Sequence, residues 1–369
     1  MAALYAFLVD QGMALEEPRR QTYRRFRNAF DEDDDTFINH FQLSKTAVRE
    51  ICDAVRCDIQ RNQRWRKSRV TVEQRVLMTL RFMATGAFLG DIGREDFFRC
   101  SKNTVSETLH EVTLALVKNL APKYLKFAIT PEEKLEVKRG FYDISGFPAC
   151  VGAIDGTQVA IVAPSTTGSG SSDSCFYCRG GYCSLNVLMV SDANRKILYI
   201  NTRFPGSCHD SWVWHSSRLY TSVQDIFSSG EWLIGDSDYP LEPWLMTPVK
   251  DAISAAEAEY NKAHSKARVP IEQTFGVLRT RFRCLQRTLQ FAPHKAANIV
   301  TACAVLHNMC LAHNLNHVQF IVQARASEPS EQVEGVEEDE DEDEEEPEEA
   351  TEGDRAQQIQ RNLIAEHFT

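Results

Sequence analysis

The chain has 369 residues, 43% hydrophobic and 25% charged, long enough for two or three domains with a sizeable core; a fibrous or wholly unstructured protein is excluded. The formal net charge of −11 is local: residues 328–354 hold 17 of the 52 acidic residues and no Lys or Arg, so the remainder carries an excess of six positive charges, compatible with a nucleic-acid partner without requiring one. Eleven cysteines spread through apolar stretches, without a secretion signal, read as reduced thiols of an intracellular protein rather than a disulfide framework.

In chain order, residues 1–40 open with an apolar stretch, Ala2 to Val9, too short for a signal peptide or a membrane span and expected to be an amphipathic helix. A basic run, Arg19 to Arg27, and an acidic cluster, Asp31 to Asp35, follow. Residues 41–145 are predicted all-helical, with apolar residues at three-to-four spacing as in Val76, Leu77, Leu80, Met83 and Ala84. Within them Arg61, Arg64, Arg66, Lys67 and Arg69 surround Trp65. That run fits phosphate contacts, a solvated loop or a nuclear-import signal. The last would place the chain in the nucleus, with the cytoplasm as a second compartment. Further on, Asp91 to Phe98 is predicted as a short helix, Arg99-Cys100 as a turn and Ser101 as the N-cap of a helix with Val105, Leu109, Val112 and Leu116 on its apolar face. A helix-turn-helix would offer Lys102, Asn103 and Ser106 to a DNA groove; plain scaffold helices fit the pattern equally well.

From Ala149 to about Leu315 the pattern changes to short β-type runs followed by helices. Ala149 to Ile161 is an apolar strand interrupted by Asp155-Gly156, and a carboxylate there is costly to bury unless charge or hydrogen bonds meet it. Leu185–Val190 and Lys196–Thr202 are predicted as a hairpin. Pro205 to Ser211 delivers Asp210 just before a helix, and the strand Glu231–Gly235 ends at Asp236. A helix is expected to begin at Val269, with Pro270 in its first turn, Ile271, Phe275 and Leu278 buried, and Glu272 beside that stripe facing the sheet. Three acids at strand ends and one on a packing helix suit a pair of hard divalent cations that activate water or a hydroxyl and stabilise the leaving oxygen in phosphodiester hydrolysis. Taken singly, each acid also fits a helix cap or an arginine pair. Cys175, Cys178 and Cys183 raise a structural-zinc reading, but no second Cys-x-x-Cys pair follows and free thiols are preferred. His209 and His307 are expected to hydrogen-bond rather than to ligate. Residues 324–355 form an acidic low-complexity linker, and 356–369 a short amphipathic helix.

The ordered set Ala153-Ile154-Asp155-Gly156-Thr157, Pro205-Gly206-Ser207 with His209-Asp210-Ser211, Gly235-Asp236-Ser237 with Tyr239-Pro240, and Arg268 with Ile271-Glu272 and Phe275-Gly276 resembles the PIF/Harbinger DDE superfamily. Trp244 to Pro248, Tyr260-Asn261, His264-Ser265, Arg281 to Leu285 and Val305-Leu306-His307-Asn308 are similar to its Harbinger transposase-derived nucleases. The resemblance covers about residues 70–315. It implies an α/β, RNase H-like mixed sheet flanked by helices, preceded by a helix-turn-helix-containing helical region. Asp155, Asp236 and Glu272 then fall on the catalytic triad, and Asp210 on a further metal-ligand position, for Mg2+ or Mn2+. It also implies DNA as substrate and a separate Myb-like DNA-binding partner; a homo-oligomer is left open. The chain departs from the pattern at Cys178-Arg179-Gly180-Gly181 and Cys183-Ser184-Leu185-Asn186, where that family carries a Lys and a His, and at Asp238, where a Gly is usual. Those departures keep a rival reading open: a domesticated DNA-binding or adaptor protein that retains the fold as a scaffold.

Overall fold

The computed structural model describes residues 27–62, 70–127, 130–164, 174–315 and 352–368. The first half is helical: α1 (Asp34–Phe41), α2 (Lys45–Asn62), α3 (Val72–Thr85), α4 (Leu89–Arg94), α5 (Lys102–Tyr124) and α6 (Pro131–Ser145). Their starts are written locally. Asp33, Thr71, Ser101 and Thr130 each accept from a backbone N–H three residues on, and Thr71 with Gln74 and Thr130 with Glu133 complete capping boxes. The predicted apolar faces of α3 and α5 are buried in one core.

The short helix expected over 91–98 sits earlier, at Leu89–Arg94. Beyond it Glu95 turns to Arg81, 2.9 Å away, and Phe97 and Phe98 turn inward. Side-chain burial and an ion pair thus end the helix before its pattern does. Ser101 caps α5 as predicted, but a DNA-reading role for the pair does not follow from this geometry. Of the basic run, only Arg61 falls within a described element, the end of α2; Arg64, Arg66, Lys67 and Arg69 lie outside the described residues, as do Ala2 to Val9 and the acidic run up to residue 351.

The sheet holds β1 (Cys150–Ala160), β2 (Ser184–Ser191), β3 (Ile197–Pro205), β4 (Trp232–Ile234) and β5 (Leu245–Met246), in the order β3-β2-β1-β4-β5. The predicted hairpin forms: β2 runs antiparallel to both β1 and β3, β4 pairs parallel with β1, and β5 pairs parallel with β4. Asp192 Oδ1 accepts from the N–H groups of Asn194 and Lys196 to close its turn. One face of the sheet, with Ile154, Leu188 and Val190, packs with the short helices α7 (Asp210–His215), α8 (Arg218–Thr221) and α9 (Val223–Ile226). The other, with Ala153, Val159 and Met189, packs with α10 (Ala255–Arg281) and α11 (Pro293–Ala312). This is the expected mixed sheet flanked by helices. Helix α11 is long and apolar enough to cross a membrane, yet it packs against β3 and α5. Its buried Asn308 accepts from Ile197 N–H and donates to Ile197 O and Tyr124 O, joining the two halves.

Helix α10 corrects the sequence reading. It begins at Ala255, where Ser254 and Glu257 form a capping box, so Pro270 lies in the interior and not in the first turn. An interior proline costs about 3 kcal/mol. Burial of Tyr260, His264, Ala267, Ile271, Thr274 and Leu278 along one side outweighs that cost. Thr274, not the half-buried Phe275, continues the stripe. The C-terminal helix α12 (Glu352–His367) starts four residues before the expected point. Asp354 in its first turn favours its N-terminus electrostatically. Gln360 donates to Thr247 O and Tyr260 Oη, docking α12 on α10.

Candidate active site

Alternation along β1 turns Asp155 and Thr157 to the same side of the sheet, and both meet helix α10. Arg268 Nη2 lies 3.2 Å from Asp155 Oδ2, and Arg279 Nη2 donates to Thr157 Oγ1. Asp236 follows β4, the parallel neighbour of β1, and its Oδ2 is 3.6 Å from the same Arg268 Nη2. Glu272, one turn beyond Arg268, brings Oε1 to 3.8 Å. Three acids from three elements therefore surround one guanidinium. Their side-chain exposures rise from 15% for Asp155 through 24% for Asp236 to 46% for Glu272, so Glu272 is the arm that reaches solvent.

Asp210 opens α7, and the sheet grips it from below. Asn186 Nδ2 donates to Asp210 Oδ1 at 2.6 Å and to Cys208 O at 2.8 Å. A Cβ on Gly156 would stand 2.6 Å from Asp210 Cγ, so the glycine beside Asp155 is what admits the second carboxylate. Trp214, wholly buried, and His215 tie α7 to Glu242, which also accepts from Trp244. Gly156→Ala leaves backbone conformation unstrained but pushes Asp210 off Asn186. Divalent-metal affinity measured by calorimetry is expected to fall roughly 10- to 100-fold. An unchanged affinity would remove Asp210 from the ligand set.

The electrostatics are those of crowded anions. Burial pushes the Asp155 carboxyl up to about 7, Arg268 draws it down, and Asp236 and Asp210 add to the rise. Asp236 is raised by burial, opposed by Arg268 and reinforced by Asp238. Asp210 is raised by burial, opposed by its Asn186 hydrogen bond and again reinforced by Asp238. Asp238 thus adds to the rise of both carboxyls, with burial the larger cause. Tyr239 Oη is buried without a hydrogen-bond partner, and the charges of Asp210, Asp155 and Asp236 all bear on it. An all-oxygen donor set whose members repel one another beside an unsatisfied hydroxyl fits a hard divalent cation. Among the described residues no three His, Cys, Asp or Glu side chains close into a metal shell. The carboxylates are spread around Arg268 instead.

Arg268, Asn186 and Tyr239 are the residues for which the sequence reading assigned no role. The signal for Asn186 was available: a lone amide inside the apolar strand Ser184–Ser191 needs a partner when buried. His307 is buried, with burial drawing its pKa down to about 3, and bonds to Arg195 O; His209 is exposed, 3.1 Å from Arg179. Cys178 is buried, Cys175 and Cys183 are half-buried, and none of the eleven cysteines is in a disulfide. Lys102 and Asn103 are exposed in the first turn of α5, where Lys102 lines a cleft with Arg94, Arg287 and Lys295, apart from the carboxylates.

Residues 154–308 match the family described as "DDE superfamily endonuclease". The chain is 32% identical over 328 residues to the Xenopus laevis protein named "Putative nuclease HARBI1", spanning 88% of this chain and 91% of that one. It is 30% identical over 328 residues to the Homo sapiens protein of the same name, with the same coverage. To the Arabidopsis thaliana "Protein ALP1-like" it is 26% identical over 298 residues, spanning 76% of this chain and 71% of that one. No solved structure matches the chain.

Proposed function

The chain belongs to the DDE superfamily endonucleases, and on that premise we propose that it is a divalent-metal-dependent nuclease acting on DNA phosphodiester bonds. The observation that carries this reading is the convergence of Asp155, Asp236 and Glu272 on a single cationic point, 3.2, 3.6 and 3.8 Å from one Arg268 nitrogen. The order of the strands, with a hairpin on one side of β1 and parallel strands on the other, supports an RNase H-like reading of the sheet.

Bound by Asp155, Asp210, Asp236 and Glu272, two Mg2+ or Mn2+ ions would activate water or a 3′-hydroxyl and stabilise the leaving oxygen. The chain's own residues set the frame for that chemistry. Parallel pairing of β1 with β4 fixes the spacing of Asp155 and Asp236, Asn186 aims Asp210, and exposed Glu272 adjusts from the helix. Arg268 offsets the carboxylate charge. No protein nucleophile is needed. The direct test is conversion of supercoiled plasmid to nicked or linear DNA with Mg2+ or Mn2+, and none with EDTA.

A specific pH response follows. The Asp155 pKa is raised, so its stabilising contribution is fully present below the unfolded value near 4 and is lost as pH rises through about 7. Chelated protein is expected to lose roughly a few kcal/mol of stability across that window. Metal binding needs the ionised carboxylate, so cleavage should rise over the same range. A melting temperature and a cleavage rate both flat between pH 5 and 8 would contradict the assignment.

One observation favours the second reading, a DNA-binding scaffold without turnover: Arg268 already neutralises the carboxylates, as an ion-paired core would. Calorimetry separates the two. No heat with millimolar Mg2+ or Mn2+, alongside salt-sensitive DNA binding, supports the scaffold.

A further inference from the structure

Where residues 174–183 adjoin the Asp210 loop, the surface carries exposed aromatic rings and an arginine. Residues 174–183 fold back on themselves: Tyr177 bridges to Cys183, Cys178 N–H donates to Tyr182 O, and Gly181 N–H donates to Cys178 O, with Gly181 at φ +81. The base of this hairpin rests on the loop that delivers Asp210, since Ser207 N–H donates to Cys175 O. At its tip Arg179 reaches His209, the N-cap residue of α7. Large aromatics stand out from the hairpin and from the helix that its tip touches: Tyr177 is 56% exposed, Tyr182 42% and Trp212 54%. Trp212 lies two residues beyond Asp210 and is braced edge-on against Phe204 at 5.1 Å.

Such rings are expensive to leave in water, and their exposure on two adjoining segments marks a contact surface. Aromatic faces interleaved with an arginine are the chemistry that holds unstacked bases, because every base has a π-face and the guanidinium takes phosphate. A paired duplex shows only its edges and backbone and cannot use those faces. We propose that the Tyr177–Tyr182 hairpin and Trp212 form a stacking platform for unpaired nucleotides flanking the bond that is cut. The protein would thus favour DNA with a single-stranded or flipped-out segment next to the site of cleavage. This deepens the nuclease reading and rests on it for the identity of the ligand. The glycines at the tip belong to the same design: Gly180 passes so close to Tyr182 that a Cβ would stand 2.7 Å from Cε1, which keeps the tip thin and the ring accessible.

The experiment compares the full-length protein on a blunt duplex and on the same duplex with a five-nucleotide unpaired flank containing 2-aminopurine. Both are titrated at fixed salt with EDTA present, so that no turnover intervenes. The wild type is expected to bind the flanked duplex roughly tenfold more tightly and to quench 2-aminopurine. Trp212→Ala combined with Tyr177→Ala should bring the two affinities within about twofold while blunt-duplex binding and melting temperature stay put. Trp212→Phe should restore the preference. Equal affinities in the wild type, or a preference that survives the double substitution, would overturn the proposal, and in that case a protein ligand is the better occupant of the patch. Cleavage is read separately with Mg2+. A stacking preference without cleavage sinks only the nuclease reading, and Asp155-dependent cleavage without the preference sinks only the platform.

Discussion

Asp155→Asn is expected to lower metal-dependent DNA cleavage on the order of a thousandfold while raising the melting temperature of the metal-free protein at pH 8. The two effects have one cause. Asp155 is almost enclosed, and burial together with Asp236 and Asp210 resists its ionisation even with Arg268 alongside. An ionised group forced into that place at pH 8 costs the folded state, and neutral asparagine removes the cost while keeping an acceptor for Gly156 N–H. The gain should appear as a few degrees at most, because the lost ion pair with Arg268 offsets part of it. The same neutrality removes a ligand from the cation site. Cleavage that persists unchanged would show that the acids are not the reaction centre, whatever happens to stability. A drop in both readouts would mean that Asp155 is chiefly half of a structural ion pair.

Arg268→Ala separates the metal from its stand-in. With EDTA, the substitution leaves Asp155, Asp236 and Glu272 around a vacated point, and the loss should reach roughly 2 kcal/mol or more, discounted from a fully buried pair because Glu272 is open to solvent. With saturating Mn2+ most of that loss should disappear, because a divalent ion supplies the missing charge. Calorimetry should show tighter Mn2+ binding than in the wild type, since the ion no longer competes with a guanidinium for the same oxygens. Arg268→Lys keeps a charge and should fall between the two. Weaker metal binding in the alanine variant would place Arg268 beside the cation site rather than in it and would return it to a purely positioning role.

The family-specific residues outside the acids gain physical roles in the fold. Tyr260 donates to Thr247 O, Asn261 exchanges hydrogen bonds with Val249, and buried His264 bonds to Met246 O. Together they fasten α10 to the segment after β5 and so hold Arg268 and Glu272 at a fixed height above the sheet. Burial draws the His264 pKa down to about 4, so this joint is uncharged at neutral pH. Lys134 and Lys138 of α6 meet Glu231 just before β4 and anchor the strand that Asp236 follows.

The sequence by itself determined four of the five described strands, the hairpin and the helix start at Ser101, and it singled out the four acids proposed as ligands. Those features rest on local physics: alternation along a strand, capping side chains, and the rarity of a carboxylate inside an apolar run. Local physics also misled where two signals competed. Pro270 looked like a helix start because a proline is free of penalty there, yet the Ser254 cap and a long buried stripe carry the helix through it. Only the tertiary structure decided that Arg268 stands among the acids, that Asn186 holds Asp210, that Gly156 makes room for it and that the Tyr177–Tyr182 hairpin touches the start of the helix carrying Trp212. Each of these joins residues dozens of positions apart, and the free energy that selects them comes from packing sheet against helix, which no window along the chain contains.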